Sequence, residues 1–260
     1  MAISRRYLSV FCFWALGSLF MAAGVIAHAQ TPARTPGNAR QFSVYVTDMA
    51  EAKTMPVFVL SGEQAMELPV KSNSRSDLRP WPGERPLRLA VRNMNSAAGQ
   101  AAYTPIAELG WPGPQSNRAL IILVYSSGSA PPRAFVVDDD VRAFPVNSAF
   151  TFNATKVPLM LRFNTFSGEL AAGGLSPMVD YPDMQNLPPS ASVRYPFALA
   201  LRRLGEEPLV LNSGFQEASP GTRTLLIVTP PAEAGSTRVR VRKLVDRPAE
   251  ARPAVVTPRT

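Results

Sequence analysis

The sequence predicts an all-β protein built from two tandem immunoglobulin-like β-sandwich domains that arose by internal duplication. Short apolar runs are separated by clusters of glycine, proline, asparagine and serine, which is typical of β-sandwiches. A strand-turn-strand unit also occurs twice, at residues 118–137 and again at residues 223–242. In both copies an arginine opens each strand, at Arg118 and Arg133 and at Arg223 and Arg238, fifteen residues apart. Such self-similarity at domain length indicates a tandem repeat.

The N-terminal segment predicts export. Arg5 and Arg6 precede an almost wholly apolar run over residues 7–26, and an Ala-x-Ala motif ends at Ala29. Together these are the parts of a cleavable secretory signal peptide over residues 1–29. The apolar run is near the length that spans a bilayer, so an uncleaved membrane anchor is the alternative. We expect a periplasmic or extracellular protein with no membrane span after cleavage.

Removal of this segment would leave a protein without cysteine or histidine. Cys12 and His28 are the sole residues of their types, and both lie in residues 1–29. The mature chain then has no disulfide, no cysteine or histidine ligand for zinc and no Ser-His-Asp triad. We therefore expect a non-enzymatic protein that needs no cofactor and no metal.

A carboxylate-based glycoside hydrolase is a less favoured alternative, because such enzymes need no histidine. The acidic candidates of the first domain do not show a spacing that selects a pair. They are Glu63, Glu67, Glu84 and Glu108.

The first predicted domain spans residues 41–141 and follows a flexible linker at residues 30–40. Its pattern is almost entirely β, with one candidate helical turn at residues 63–66. Strands are predicted at residues 42–46, 56–60, 66–70, 86–92, 103–109, 118–125 and 133–137.

The second predicted domain spans residues 147–246 and retraces the first. Three of its segments correspond in order to segments of the first: 150–152 to 42–44, 158–161 to 56–59, and 196–202 to 86–92. The offset in residue number varies between 102 and 110, as insertions in loops would make it. A helical turn is predicted near residues 182–187. After it comes the repeated hairpin, and residues 247–260 form a proline-rich tail that we expect to be disordered.

The join between the domains carries a resemblance. Residues 137–153 contain Asp-Asp, then Arg-Ala-Phe-Pro-x-x-Ser, then a strand ending in Asn153. This segment resembles one that recurs in a family of uncharacterised exported bacterial β-rich proteins. The resemblance implies a secreted β protein and brings no activity with it.

Three consecutive acids, Asp138, Asp139 and Asp140, lie in the same segment. We predict a solvated turn whose side chains cap local backbone N–H groups. A cation site is the alternative, because hard cations take several carboxylate oxygens. Consecutive strand residues point to opposite faces, however, so the three carboxylates converge only if the backbone turns.

Two tryptophans of the first domain, Trp81 and Trp111, each open a Trp-Pro-Gly turn. As an exposed pair they could stack on sugars, which is the basis for an alternative function as a carbohydrate-binding module. Otherwise they are lids whose indoles fold over the open end of the sandwich.

A basic strand is the other candidate ligand surface. Arg238, Arg240 and Arg242 alternate with valines, so the arginines should share one face, and Lys243 extends the cluster. Such a ladder can grip an anionic polysaccharide through charge-assisted contacts. A charged edge strand that discourages aggregation is the competing interpretation. No nucleic acid is expected, since interleaved aromatic side chains are lacking.

The charge of the chain bears on the class of its partner. The formal net charge of +8 is compatible with an anionic polysaccharide or an envelope protein as partner. We expect a non-catalytic binding or structural protein of the cell envelope. A pilus-type chaperone is a less favoured alternative, with Arg133 and Arg142 near the join as its basic pair.

Overall fold

A computed structural model of the chain describes residues 39–47, 56–61, 64–69, 71–83, 86–93, 102–125, 130–231 and 236–248. The predicted signal peptide, most of the predicted linker and most of the proline-rich tail lie outside these ranges. Within them the chain forms sixteen β-strands and one 3₁₀ turn. No helix in this described part has the length and hydropathy of a membrane span.

The first sandwich contains eight strands in two four-stranded sheets. Its inner sheet has the order β4-β1-β7-β8 and its outer sheet the order β3-β2-β5-β6. β1 and β7 run parallel, and every other neighbouring pair is antiparallel. The strands are β1 (Gln41–Thr47), β2 (Val57–Ser61), β3 (Gln64–Glu67), β4 (Arg79–Pro80), β5 (Leu87–Arg92), β6 (Tyr103–Leu109), β7 (Arg118–Val124) and β8 (Arg133–Asp138).

The second sandwich repeats this arrangement strand for strand. Its inner sheet has the order β12-β9-β15-β16 and its outer sheet the order β11-β10-β13-β14, again with one parallel pair, β9 and β15. The 3₁₀ turn is Pro182–Asn186. The strands are β9 (Ser148–Asn153), β10 (Leu159–Phe163), β11 (Phe166–Leu170), β12 (Val179–Asp180), β13 (Val193–Leu201), β14 (Leu209–Ala218), β15 (Arg223–Thr229) and β16 (Arg240–Asp246).

The identical strand orders confirm the tandem β-sandwich fold. They also correct the alignment of the two copies by one residue at the first strand. Phe42 pairs with Ala119 on β7, and Ala149, not Phe150, takes the same place beside Thr224 on β15. A one-residue shift exchanges the two faces of a strand, so the correction decides which side chains enter the core.

Three apolar cores lie between four stacked sheets. The first sandwich closes over side chains such as Val44 and Ile121. The second closes over Leu161 and Leu226, among others. A third core joins the two inner sheets and holds Ile122 from β7 against residues of β9 and β15. We call this third core the interdomain core.

The interdomain core explains why β7 and β15 are apolar without alternation. Ile121 faces the core of the first sandwich, and its neighbour Ile122 faces the interdomain core. In β15, Leu226 and Ile227 divide in the same way. A strand covered on both faces gains from an apolar side chain at every position. The continuous apolar runs therefore belong to strands that are buried on both faces, one against their own sandwich and the other against the neighbouring sandwich.

The local predictions are largely confirmed. All seven strands predicted for the first domain exist, with ends displaced by at most three residues, and the hairpin of β7 and β8 pairs antiparallel as expected. The helical turn at 182–187 is the 3₁₀ turn. The helical turn at residues 63–66 is wrong, because Gln64–Glu67 pairs with β2 as a strand.

Candidate functional site

The acidic segment at the end of β8 is largely buried, so the predicted exposure to solvent is wrong. The predicted capping of local backbone N–H groups is confirmed, because Asp138 Oδ1 accepts from the Asp140 N–H and Asp140 Oδ1 accepts from the Arg142 N–H, both at 3.0 Å. Asp139 is 2% exposed and Asp140 is 8% exposed. Asp139 lies at the junction of the two inner sheets, beside three arginines and a second aspartate. We call these five residues the charge cluster; its members are Arg75, Arg118, Asp139, Arg223 and Asp246.

Arg223 is the centre of the charge cluster and is 1% exposed. Its Nη2 donates to Asp139 Oδ1 at 2.8 Å and to Asp246 Oδ2 at 2.7 Å. Nε donates to Asp246 Oδ2 at 3.2 Å, and Nη1 donates to the carbonyls of Asp139 and Phe144 at 2.9 and 3.1 Å. These bonds use all five donors of the guanidinium, so the buried charge is fully solvated by protein groups.

Arg75 closes the charge cluster from the first sandwich. Its guanidinium donates to Asp139 and, at 3.0 Å, to Asp246 Oδ2, and its Nε donates to the Ser43 hydroxyl at 2.9 Å. Burial raises the pKa of Asp246, but the hydrogen bond from Arg223 and the charges of Arg75, Arg223 and Arg118 outweigh it and hold that pKa below its ordinary value. Asp246 is therefore ionised at neutral pH, and its carboxylate is engaged by Arg75 and Arg223.

The duplication accounts for the composition of the charge cluster. Arg118 and Arg223 open equivalent strands, and Asp139 and Asp246 occupy equivalent positions opposite them. Stacking the inner sheets brings these two Arg–Asp pairs together. Sequence analysis singled out Asp139, Arg118 and Arg223 separately and did not predict that they meet.

The other two acids of the segment also have local partners. Asp140 accepts from both Nε and Nη2 of Arg142, at 3.0 and 3.1 Å. This hydrogen bond is the largest influence on Asp140 and, against the effect of burial, holds its pKa well below the ordinary range. Asp138 Oδ1 accepts from the Ser116 hydroxyl at 2.8 Å. In the described residues, no group of three His, Cys, Asp or Glu side chains is placed to hold a metal ion.

The two tryptophans pack on each other inside the first sandwich. Trp81 is 5% exposed and meets Trp111 edge to face, with ring centroids 4.9 Å apart. Trp111 is half-buried, and its Nε1 donates to the Ser116 carbonyl at 2.9 Å. The Arg40 guanidinium covers its ring at 5.2 Å. These contacts match the lid interpretation, because Trp81 offers no exposed face on which a sugar could stack.

The basic strand is divided between two faces. β16 begins at Arg240, so Arg238 precedes it as an exposed residue. Arg242 pairs with Ile227 and points toward the interdomain core, with Arg240 on the same face. Lys243 points the other way and donates to the Glu217 carbonyl. The strand lies at the edge of its sheet, and its four cations do not form one ladder.

The residues suggested for the less favoured functions are also separated. Glu67 and Glu108 lie on the two edge strands of the outer sheet, roughly 14 Å apart at ordinary strand spacing, too far for a catalytic carboxylate pair. Glu63 and Glu84 lie outside the described residues. Arg133 opens β8 and Arg142 follows its end, so the strand alone separates them by roughly 17 Å.

A cavity of the described structure has the size of a ligand pocket. It measures about 500 Å³ and lies at the end of the second sandwich where β13 and β15 finish and β10 and β14 begin. We call it the end cavity. Most of its wall is aliphatic or proline, including Val157, Leu159, Leu201, Leu211, Pro231 and Val239.

Two cations lie in the wall of the end cavity, Arg133 and Lys156. Arg133 comes from the first sandwich, where its guanidinium covers the Phe135 ring at 5.3 Å and donates to the Ala154 carbonyl. Burial lowers the pKa of Arg133, although an arginine remains charged at neutral pH. Lys156 is exposed, and within the described ranges no acidic side chain pairs with it.

The loop that carries Lys156 is held in place by Asn153, which is fully buried. The Asn153 amide donates to the carbonyls of Val157 and Leu170 at 2.9 and 3.1 Å. Its Oδ1 accepts from the Thr155 hydroxyl at 2.7 Å and from the Thr155 N–H at 3.0 Å. The rim of the end cavity is thus preorganised by a side chain that also ends β9.

Comparison with known proteins adds no family: no family model matches the chain, and a search of curated proteins returns no significant match.

Proposed function

We propose that this protein is an exported, non-catalytic binding protein of the cell envelope. The observation that carries the proposal is the chemistry of the end cavity. Its wall contains aliphatic side chains, prolines, small hydroxyls and two cations, and none of its lining residues is a carboxylate, an imidazole or a thiol. A half-open apolar cavity with a few polar groups at its rim is suited to binding a ligand, and this one holds no carboxylate, imidazole or thiol that could convert it.

The charge cluster also supports a non-catalytic function. Its buried aspartates are saturated by arginine, as Asp139 is by Arg75 and Arg223. A catalytic carboxylate must be free to exchange a proton or attack a substrate. Asp139, the most deeply buried acid of the described structure, therefore serves to join the two sandwiches.

Export rests on the sequence of residues 1–29. The basic start, the apolar run and the Ala-x-Ala motif ending at Ala29 form a complete signal-peptide pattern. A mature chain without cysteine suits any redox compartment, and its sandwiches need no disulfide because each closes over a large apolar core.

Export is tested by expressing the full chain in an exporting bacterial host and determining the mass and cellular fraction of the product. We expect a product that begins at Gln30 and fractionates with the periplasm or medium. The matched control Ala29→Leu should accumulate uncleaved, because the cleavage site requires a small residue there. An uncleaved wild-type chain in the cytosolic fraction would contradict the proposal.

The absence of catalysis is tested by incubating the purified protein with envelope polysaccharides and lipids and following both binding and product formation. We expect saturable binding with complete recovery of the intact ligand. Time-dependent conversion of any ligand that is lost on unfolding the protein would show an enzyme and refute the proposal.

A further inference from the structure

The end cavity combines an apolar interior with a one-sided charge. Its aliphatic wall is contributed by three strands and two loops of the second sandwich, and Ala130, Pro131 and Arg133 of the first sandwich close one side. Among its lining residues Arg133 and Lys156 are charged, and both are cations. A ligand complementary to this wall has an apolar body and a single anionic end.

A third cation stands beside the cavity. Arg238 lies between Thr237 and Val239, both of which line the wall, and its side chain is exposed. The sequence had singled out Arg238 as part of a basic ladder. In the structure it is exposed between two residues that line the cavity, while Arg240 and Arg242 lie on the strand face that is directed toward the interdomain core.

We propose that the end cavity binds a single-chain anionic amphiphile, with the alkyl chain against the aliphatic wall and the anionic head group at Lys156 and Arg133. This inference rests on the proposed binding function and names the ligand class of that site. Burying alkyl groups against Leu201, Leu211 and Val239 supplies affinity, and the cations supply selectivity for the sign of the head group.

The dimensions favour one alkyl chain over a bilayer surface. Typical small-molecule pockets measure roughly 300–1,000 Å³ and enclose most of their ligand, and the end cavity falls within this range at about 500 Å³. The rigid loop held by Asn153 keeps Lys156 and Val157 at the mouth, so a monomeric ligand meets a preformed site.

The test is calorimetric titration of the full chain, as recovered from the exporting host, with octanoate, decanoate and dodecanoate below their micellar concentrations. We expect saturable binding of one chain per protein. The dissociation constant should fall about fourfold for each methylene added while the chain still lies inside the cavity. Alkyl trimethylammonium and alkyl maltoside of the same chain lengths are the controls for the head group and should bind at least about fivefold more weakly.

Two variants locate the site. Lys156→Gln removes an exposed cation at the rim, and we expect dodecanoate to bind about two- to fivefold more weakly. Thr237→Phe inserts a ring into the mouth of the cavity and should abolish saturable binding. The matched control Lys71→Gln removes an exposed lysine of the first sandwich and should leave the affinity unchanged.

Three results would contradict the proposal that the end cavity binds an anionic amphiphile. Equal affinity for cationic, neutral and anionic head groups would reject the role of the cations. Binding to anionic vesicles without binding of monomers would indicate a membrane surface instead. Unchanged affinity in Thr237→Phe would place the amphiphile elsewhere. None of these three results contradicts the proposed function as an exported binding protein. That function is contradicted by different results, namely conversion of a ligand or failure of the chain to be exported.

Discussion

Arg223 of the second sandwich donates to Asp139 of the first, with Nη2 and Oδ1 2.8 Å apart and the two side chains 1% and 3% exposed. This ion pair crosses the boundary between the repeats and is buried with its donors and acceptors satisfied. A buried charge that loses its partner keeps its desolvation cost without compensation. The stability of the protein therefore depends on the stacking that brings Arg223 and Asp139 together.

We expect Asp139→Asn to lower the free energy of unfolding by about 3–5 kcal/mol, because Arg223 would lose a charged acceptor while remaining buried. Urea denaturation at pH 7 measures the change. The control Asp180→Asn removes an exposed carboxylate on β12 and should alter stability by less than about 0.5 kcal/mol. Equal stability of the two variants would show that the charge cluster does not hold the sandwiches together.

Acidification should weaken the same junction through Asp246. Its pKa is lower in the folded protein than in the unfolded chain, so its contribution is complete above the ordinary aspartate pKa of about 3.9 and is lost as the pH falls toward the folded value. Denaturation curves between pH 7 and pH 3 should show falling stability in the wild type. Asp246→Asn should be less stable at pH 7 and show a shallower fall below about pH 4. Parallel curves for the two proteins would argue against this role of Asp246.

The interdomain core should make the two sandwiches unfold together. The tryptophans outside residues 1–29, Trp81 and Trp111, both lie in the first sandwich, so their fluorescence reports on that half alone. Circular dichroism reports on both halves. We expect coincident urea transitions from the two signals, as a single cooperative unit requires. Two separated transitions would show that the sandwiches are independent.

Truncating a side chain of the interdomain core tests how much this core contributes to the free energy of unfolding. Ile122→Ala should cost about 2–5 kcal/mol, because the side chain is fully buried between the inner sheets. Val210→Ala on β14 is the matched control, since Val210 is 61% exposed and should contribute less than about 0.5 kcal/mol. A loss below 1 kcal/mol for Ile122→Ala would mean that the sheets pack more loosely than the structure shows.

Two stacked tyrosines of the second sandwich offer a stabilising substitution. The rings of Tyr181 and Tyr195 are 4.3 Å apart, and both hydroxyls are buried without a hydrogen-bond partner in the described structure. Tyr181→Phe keeps the ring and removes the unsatisfied hydroxyl, so we expect unchanged or higher stability, by up to about 1–2 kcal/mol. Thermal denaturation measures it, with Tyr103→Phe as control. A clear loss of stability in Tyr181→Phe would show that the hydroxyl has a partner.

Local features were predictable because each depends on residues close in sequence. Turn residues bounded most strands, and apolar runs identified β7 and β15 and the hairpins that follow them. The four strands that were missed, β4, β11, β12 and β14, lack such a signal. β4 and β12 have two residues each, and β11 and β14 carry exposed polar positions and a glycine. The shifted alignment of β1 and β9 arose because apolar strands resemble one another at more than one register.

The sequence alone determined the class of fold, the repeat and the pattern that predicts export, because periodicity, turn residues and a short N-terminal motif are written along the chain. Only the tertiary structure decided what the charged residues do. Arg75 and Asp246 are 171 positions apart and meet because the two inner sheets stack. The same stacking buries Asp139 and places Arg133 of one repeat at a cavity of the other. Such pairings depend on how preformed sheets pack, and no spacing in the chain records that geometry.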